Sequence, residues 1–358
     1  MNSSVPLARR SNTLSSSLGL GEKLFASSDE RKFVKDIEDG LERVEQGLLV
    51  EMTFADNLAD VTARYLLEAG GKRVRPVLTL LTAQLGSGSN DSVVTAAKAI
   101  EITHLASLYH DDVMDEAQMR RGVPSAQAVW GNSVAILTGD LLFARASKLV
   151  AGLGEDAIKL QADTFERLCL GQLHETIGPR HDEDPIVHYL QVLADKTGSL
   201  ISAAAEVGVT YSDAPVEYRE PVKEFGEKIG VAFQLIDDII DLSEHAEETG
   251  KVAGTDLRSG VATLPLLYLR DDAKTDADAA ELLTRLERDV NAAFYDEGDD
   301  EELLAAIAEL RAHSVTRRTL DEAHRWADEA VAALAPLPDG PVKKALTRFA
   351  ETVVERSH

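Results

Sequence analysis

Three observations predict an all-α fold. Apolar residues recur at helical spacing nearly throughout, clean period-two alternation is hard to find, and aromatics make up only 5% of a chain that is 44% hydrophobic. At 358 residues the chain is long enough to bury a large core. Its formal net charge of −25 argues against a nucleic-acid partner, because phosphate neutralisation needs clustered Lys and Arg on a basic surface. Small anions held through a metal are not excluded. The single cysteine, Cys169, rules out an internal disulfide or a thiolate cluster, fits a reducing cytoplasm, and reads as a small buried hydrophobe. No apolar run reaches the roughly 18 residues that a membrane span needs, which leaves at most peripheral membrane contact.

Residues 1–28 read as a disordered tail. Met1–Leu20 is Ser-rich, carries Arg9 and Arg10 and lacks acids, like a transit peptide, but it has few apolar residues and no cleavage-like feature. Residues 29–358 read as a single all-α domain. Ser27-Ser28-Asp29-Glu30 is a helix start, followed by the stripe Phe33, Ile37, Leu41, Val44 and Leu48. A second helix runs from Asp56 to Leu67 and stops at Gly70-Gly71. Pro76 sits where the next helix begins, and Val77–Leu85 is apolar enough to be buried. Asp91–Asp115, Val134–Val150, Asp156–Ile177, Ser199–Val209 and Val222–Leu242 follow as helices. Beyond Thr263-Leu264-Pro265, Leu303–Leu310, Thr319–Leu334 and a helix starting at Pro341 alternate with acidic loops. No repeat of solenoid period is present.

Two stretches read almost alike, Asp111-Asp112-Val113-Met114-Asp115 and Asp237-Asp238-Ile239-Ile240-Asp241. On a helix the first and fifth positions share a face, so each stretch holds two carboxylates side by side with the middle Asp turned about 100° away. Like charges at that spacing repel, and a cation such as Mg²⁺ relieves them. Acids are 62 of the 358 residues, so Asp-Asp pairs also arise by chance. Asp271-Asp272 and Asp299-Asp300 serve as controls: both lack the third Asp and a flanking apolar stripe, and they read as solvated, loop-like surface.

Cations follow in an order that suits a phosphate ligand. Lys72, Arg73 and Arg75 lie at a turn beside helix-terminal amides, Arg120 and Arg121 come directly after the first acidic stretch, and Lys196 precedes an apolar segment where a lone charge is expensive. Gly250–Asp256 is a Gly-flanked loop with one cation, Lys251, able to close over a ligand; its spacing is wrong for a nucleotide-binding P-loop.

With these motifs in this order, together with Lys196-Thr197-Gly198 and Phe233-Gln234, the stretch from Gly70 to Leu267 resembles the trans-isoprenyl diphosphate synthases, or polyprenyl synthetases. The resemblance implies a helical bundle around a deep central cavity, usually a homodimer, with the two acidic stretches facing each other across its mouth. It implies that Lys72, Arg75, His104 and Arg121 grip the diphosphate of isopentenyl diphosphate. Asp111, Asp115 and Asp237 would ligate three Mg²⁺, with Glu175 and Asp241 in or near the coordination sphere. Arg120, Lys196 and Lys251 would hold an allylic diphosphate, and Thr197 and Gln234 would lie beside the reacting carbons. One departure is Val261, where many relatives carry a Lys shortly before Thr-Leu-Pro, leaving one cation fewer in the closing loop.

The implied reaction is Mg²⁺-dependent head-to-tail condensation of isopentenyl diphosphate with an allylic diphosphate to an all-trans polyprenyl diphosphate. In short-product relatives a large aromatic residue four or five places before the first Asp floors the cavity. Ala106 and Ser107 stand there, and Thr103 and Ile102 below them carry no ring, so a long-chain product for a quinone side chain is expected, with a geranylgeranyl or farnesyl product as the alternative. Tyr109, close to the acidic stretch, has a helical angle that aims it elsewhere. Two rival classes are weighed. A terpene cyclase would carry a differently spaced second metal motif, and a metal phosphohydrolase built on His110-Asp111 would leave the cations unexplained.

Overall fold

The computed structural model describes residues 28–243, 253–294 and 300–356. The expected tail, Gly250-Lys251 of the closing loop and Asp299 lie outside the described residues. The described chain is helical apart from one two-stranded hairpin, as the spacing predicts. Its contacts cluster into two compact units. One takes its described residues from Met1–Glu166, Ser199–Glu227 and Val331–Thr352, the other from Arg167–Gly198, Lys228–Ala330 and Val353–His358.

In the first unit, α1 (Ser28–Glu51) buries Phe33, Ile37, Val44 and Leu48, four members of the expected stripe. Asp56 caps α2 (Asn57–Glu68), its carboxylate accepting from Leu58 N–H and Ala59 N–H at 3.0 and 2.9 Å. α3 (Val74–Ala83) starts two residues before Pro76, because Arg73 takes a left-handed conformation and leads the chain into the helix early. Asn90 caps α4 (Asp91–Met114), the helix of the first acidic stretch, and Asp115 is its C-cap. A hairpin of β1 (Met119–Arg120) and β2 (Val123–Pro124) precedes α5 (Ala126–Trp130) and α6 (Asn132–Ala151). α7 (Glu155–Ile177) begins in this unit, and α9 (Ser199–Tyr211) belongs to it.

The centre of the first unit is a close approach of α3 and α9. Thr79 and Thr82 donate hydroxyl bonds to the Ala204 and Ala205 carbonyls at 2.8 and 2.9 Å, so two buried hydroxyls are satisfied across the packing. Gly208 makes this approach possible, since a Cβ there would lie 2.1 Å from Thr82 Oγ1 and 2.3 Å from the Thr79 carbonyl oxygen.

In the second unit, α8 (Pro185–Leu193) runs through a π-helical turn, Ala194–Gly198, which the sequence did not signal. α10 (Arg219–Asp241) ends there with the second acidic stretch. The short α11 (Thr255–Arg258), α12 (Leu264–Asp272), α13 (Ala277–Phe294), α14 (Asp300–Ala312) and α15 (Ser314–Ala333) pack around Leu257, Leu269, Leu282, Leu286, Ile307 and Leu310. α16 (Pro341–Glu355), most of which belongs to the first unit, begins at Pro341 as expected.

Two surface readings need correcting. Cys169 is exposed, because it lies on the outward face of α7 with Phe165, Leu170 and Leu173. Asp271 and Asp272 are not in a loop but form the last turn of α12, where Lys274 and Arg318 pair with them at 2.9 and 2.7 Å.

Because the α3 and α9 backbones nearly touch at Gly208, Gly208→Ala is expected to destabilise the fold by about 1–3 kcal/mol, the usual cost of overpacking. Urea unfolding of the variant against the wild type measures the shift.

Candidate active site

Both acidic stretches sit at the C-terminal ends of helices. Asp111 and Asp112 occupy the last turn of α4 with Asp115 as its cap, Asp237, Asp238 and Asp241 end α10, and neither final turn contains a basic residue. The helix dipole is negative at this end, so each carboxylate there costs about 0.3–1 kcal/mol where a cation would be favourable. Clustered hard oxygen donors at a negative helix end fit Mg²⁺. Among the described residues no group of three or more His, Cys, Asp or Glu side chains forms a ready-made cation cage. Mg²⁺ commonly completes its shell with water and phosphate oxygens, so two carboxylates per stretch suit it.

The middle carboxylate of each stretch is engaged elsewhere. Asp112, 0% exposed, accepts from Arg120 Nε at 2.6 Å; burial still pushes its carboxyl up, against the pull of Arg120. Asp238, 2% exposed, accepts from the Tyr189 hydroxyl at 2.7 Å and from Leu264 N–H, and burial raises its pKa well above the usual carboxylate range.

The hairpin explains why two adjacent arginines diverge. Arg121 and Gly122 form its two-residue loop, both with positive φ of 54° and 76°, and neighbouring strand positions face opposite ways. Arg120 therefore reaches Asp112, while Arg121 donates to the carbonyls of Leu66, at 2.8 Å, and Gly70 at the C-terminal end of α2. Arg73, also left-handed at φ 51°, donates to the Leu67 and Gly70 carbonyls at 3.1 Å each and pairs with Glu45 and Glu101. Gly71 has no side chain to obstruct them, since a Cβ there would lie 2.5 Å from Arg73 Nη1 and 3.1 Å from the Arg121 guanidinium. The Gly-Gly pair thus both stops a helix and admits two guanidinium groups.

These arginines surround His104. Burial first, and then the charges of Arg75, Arg121, Arg73 and Arg120, hold its pKa well below the ordinary imidazole range, so the ring is neutral. Arg75 keeps a little surface, but its Nε is enclosed and without a hydrogen-bond partner, and burial lowers its pKa. Arg121 is pushed down to about 10 by burial. Glu101, 2% exposed, is the acid that opposes this positive charge. Lys72 is exposed at the same turn. Expected diphosphate-binding residues are therefore together in the first unit, and Arg73, Glu45 and Glu101 join them. The missed signal was Glu101, an acid between Ile100 and Ile102 in the middle of the helix.

In the second unit, Lys196 is ion-paired with Glu175, and Thr197 Oγ1 approaches Gln234 Oε1 at 3.4 Å. Lys196 and Thr197 lie inside the π-turn, a feature common at functional sites. Gly230 lets that turn rest on α10, because a Cβ at Gly230 would meet Gly198 Cα at 2.6 Å. Asp241 accepts the Asp256 N–H at 3.0 Å, and Arg356 near the C-terminal end lies 3.8 Å from Asp237 and stacks on Phe233.

On the other face of α4, Tyr109 is fully buried with its hydroxyl against the Thr62 carbonyl of α2, as its helical angle implies. His110 turns to α6, its Nε2 lying 3.1 Å from the Ile136 carbonyl and 3.3 Å from Asp140, which removes it from any shared site with Asp111. Ala106 is 0% exposed and its carbonyl packs beside Gly139 of α6, while Ser107 is half-buried. A small cavity is lined by Thr103, Ile100, Ala96, Leu153, Val207 and Tyr211.

A family model described as polyprenyl synthetase matches residues 56–296, a span that takes in both acidic stretches together with Lys72, Arg73, Arg75, Arg120, Arg121 and Lys196. The chain belongs to the polyprenyl synthetase family. It is a prenyltransferase that makes prenyl diphosphates. Among similar polyprenyl synthetases, nonaprenyl diphosphate synthase of Mycobacterium tuberculosis is 44% identical over 346 residues, covering 96% of this chain and 98% of that protein. A polyprenyl synthase from Caulobacter crescentus, solved with calcium and isoprenyl diphosphate, aligns with a TM-score of 0.80 at 32% identity, over 92% of this chain and 98% of that one. Geranylgeranyl pyrophosphate synthase from Corynebacterium glutamicum aligns with a TM-score of 0.77 at 41% identity, over 93% and 98% of the two chains.

Two outcomes follow from this electrostatics. With chelator present, Asp115→Asn is expected to raise stability by about 0.3–1 kcal/mol, since it removes a like charge from a negative helix end; chemical denaturation reads the change. His104 has a depressed folded-state pKa, so below roughly pH 6.5 the unfolded chain takes up a proton that the folded chain refuses. Stability is therefore lost as pH falls below that value, and His104→Gln is expected to flatten this part of a stability-versus-pH curve.

Proposed function

We propose that this polyprenyl synthetase condenses isopentenyl diphosphate with an allylic diphosphate in a Mg²⁺-dependent reaction and extends the product into the long-chain range, heptaprenyl to decaprenyl, for a quinone side chain. The observation that carries the reading is the cation cluster around neutral His104. Arg73, Arg75, Arg120 and Arg121 outnumber their buried acids, and Arg75 has an enclosed, unpartnered Nε. An incoming diphosphate supplies the missing negative charge.

Lys72, Arg75, His104 and Arg121 are assigned to isopentenyl diphosphate, with His104 acting as a neutral hydrogen-bond donor. Arg120, Lys196 and Lys251 are assigned to the allylic diphosphate, and Asp111, Asp115, Asp237, Asp241 and Glu175 to three Mg²⁺. Bound Mg²⁺ would neutralise the leaving pyrophosphate. The allylic C1–O bond breaks with its electron pair going to pyrophosphate. The double bond of isopentenyl diphosphate then attacks the resulting cation, and a proton is lost to the pyrophosphate. Thr197 and Gln234 turn oxygen dipoles toward the reacting carbons, and apolar walls exclude water.

Product length follows from the face of α4. Ala96, Ile100, Thr103, Ser107 and Asp111 recur at helical spacing, so Ser107 lies on the line from the first acidic stretch to the cavity, whereas Ala106 is committed to packing at α6. No Phe, Tyr or Trp of α4 stands on that line. The similarity to a nonaprenyl diphosphate synthase supports the same reading.

A homodimer is proposed from exposed apolar residues: Ile136, Leu137 and Leu141 on α6, and Ile158, Phe165, Leu170, Leu173 and Ile177 on α7. A monomer in sedimentation equilibrium would refute this part. No described helix is long and apolar enough to cross a membrane. We place the enzyme in the cytoplasm, with peripheral membrane contact for product release.

Product analysis with isopentenyl diphosphate and allylic primers of several lengths tests the whole reading. Excess EDTA is expected to abolish turnover. Ser107→Phe is expected to shorten the product while sparing the first condensation. Release of farnesyl diphosphate alone by the wild type, or an unaltered product from the Phe variant, would overturn the assignment of length.

A further inference from the structure

We propose that Tyr189 is a positioning residue for the second acidic stretch, acting through Asp238 to hold Asp237 and Asp241 in the arrangement that binds cations. The inference rests on the metal role given to that stretch above. Its basis is a buried tie between three elements of one unit. Asp238 near the end of α10 accepts from the hydroxyl of Tyr189 on α8 at 2.7 Å and from the backbone N–H of Leu264, the first residue of α12. Tyr189 and Asp238 are 8% and 2% exposed, so the bond is sheltered from competition with water.

The chemistry of the tie differs from that of the first stretch. There the middle carboxylate, Asp112, is held by the guanidinium of Arg120. Here Tyr189 and Leu264 supply neutral donors beside the further negative charges of Asp237 and Asp256. A neutral donor fixes a carboxylate without placing a positive charge where a divalent cation must sit. Asp238 precedes Asp241 by three residues and follows Asp237 by one, so anchoring it fixes the rotation of the helix end that presents both outer carboxylates. Tyr189 itself touches no reacting group; its effect passes through Asp238. Breaking a buried hydrogen bond is costly because the partner is left without a replacement from water, and loss of the Tyr189 hydroxyl leaves part of the Asp238 carboxyl group unsatisfied.

The test is Tyr189→Phe, which removes one oxygen and keeps the ring. Mn²⁺ binding in the presence of inorganic pyrophosphate is followed by electron paramagnetic resonance, with Asp237→Ala marking the sites that belong to the second stretch. Tyr189→Phe is expected to weaken those sites by roughly tenfold. It should raise the Mg²⁺ concentration for half-maximal turnover in parallel, while KM for isopentenyl diphosphate at saturating Mg²⁺ stays within about twofold. Unchanged Mn²⁺ sites with only a lower apo unfolding temperature would overturn the proposal and leave Tyr189 a packing residue. Should Tyr189→Phe fail to fold, Asp238→Asn takes its place; weakened second-stretch sites support the proposal and unshifted ones overturn it. Because the Mn²⁺ readout needs no turnover, absence of prenyl elongation by the wild type would refute the proposed reaction without deciding the role of Tyr189.

Discussion

Buried positive charge around one imidazole is the constraint on which much of the first unit depends. Four arginines act on His104, and an arrangement of that kind is costly unless each guanidinium finds acceptors. The chain supplies them from two sources. Carbonyls at the end of α2 take bonds from Arg73 and Arg121, and the acids Glu45, Glu101 and Asp112 take the remaining charge. The end of α2 is thus capped by guanidinium groups, which suits the negative end of its dipole. What remains short of acceptors is Arg75, whose Nε is enclosed without a hydrogen-bond partner.

Strained backbone accompanies this arrangement. Arg73 and Arg121 both adopt positive φ, a conformation in which a side chain other than glycine is disfavoured. Each makes guanidinium contacts to carbonyls at the end of α2. In the second unit the corresponding device is the π-turn over Ala194–Gly198, which presents Lys196 and Thr197 and is seated on Gly230. In both units many of the polar groups assigned to chemistry lie on irregular backbone or at helix ends, while His104 and Gln234 stand within regular helices.

The two acidic stretches have a shared logic. Outer carboxylates repel one another and the helix dipole, and the middle carboxylate is withdrawn into a dry contact that fixes the helix end. On the metal role proposed above, a divalent cation would relieve this repulsion, and stability forgone at the helix ends would be coupled to ligand binding.

The amino-acid sequence by itself determined the helical class, the start of most long helices, and the patterned order in which carboxylates and cations follow one another. Those features depend on spacing and local propensity: Asp at i and i+4, a capping Asp56 or Asn90, apolar stripes at helical period. Tertiary structure alone decided which partner each charge meets. That Arg120 turns to Asp112 while Arg121 turns to α2 depends on a hairpin of four paired residues, too short for period-two reading to detect. Arg73, Glu45 and Glu101 are separated by 28 residues on either side, and Tyr189 and Asp238 by 49, so no local pattern could pair them. The exposure of Cys169 was likewise undetermined, because an apolar face on a helix reads the same whether it meets the core or the outside.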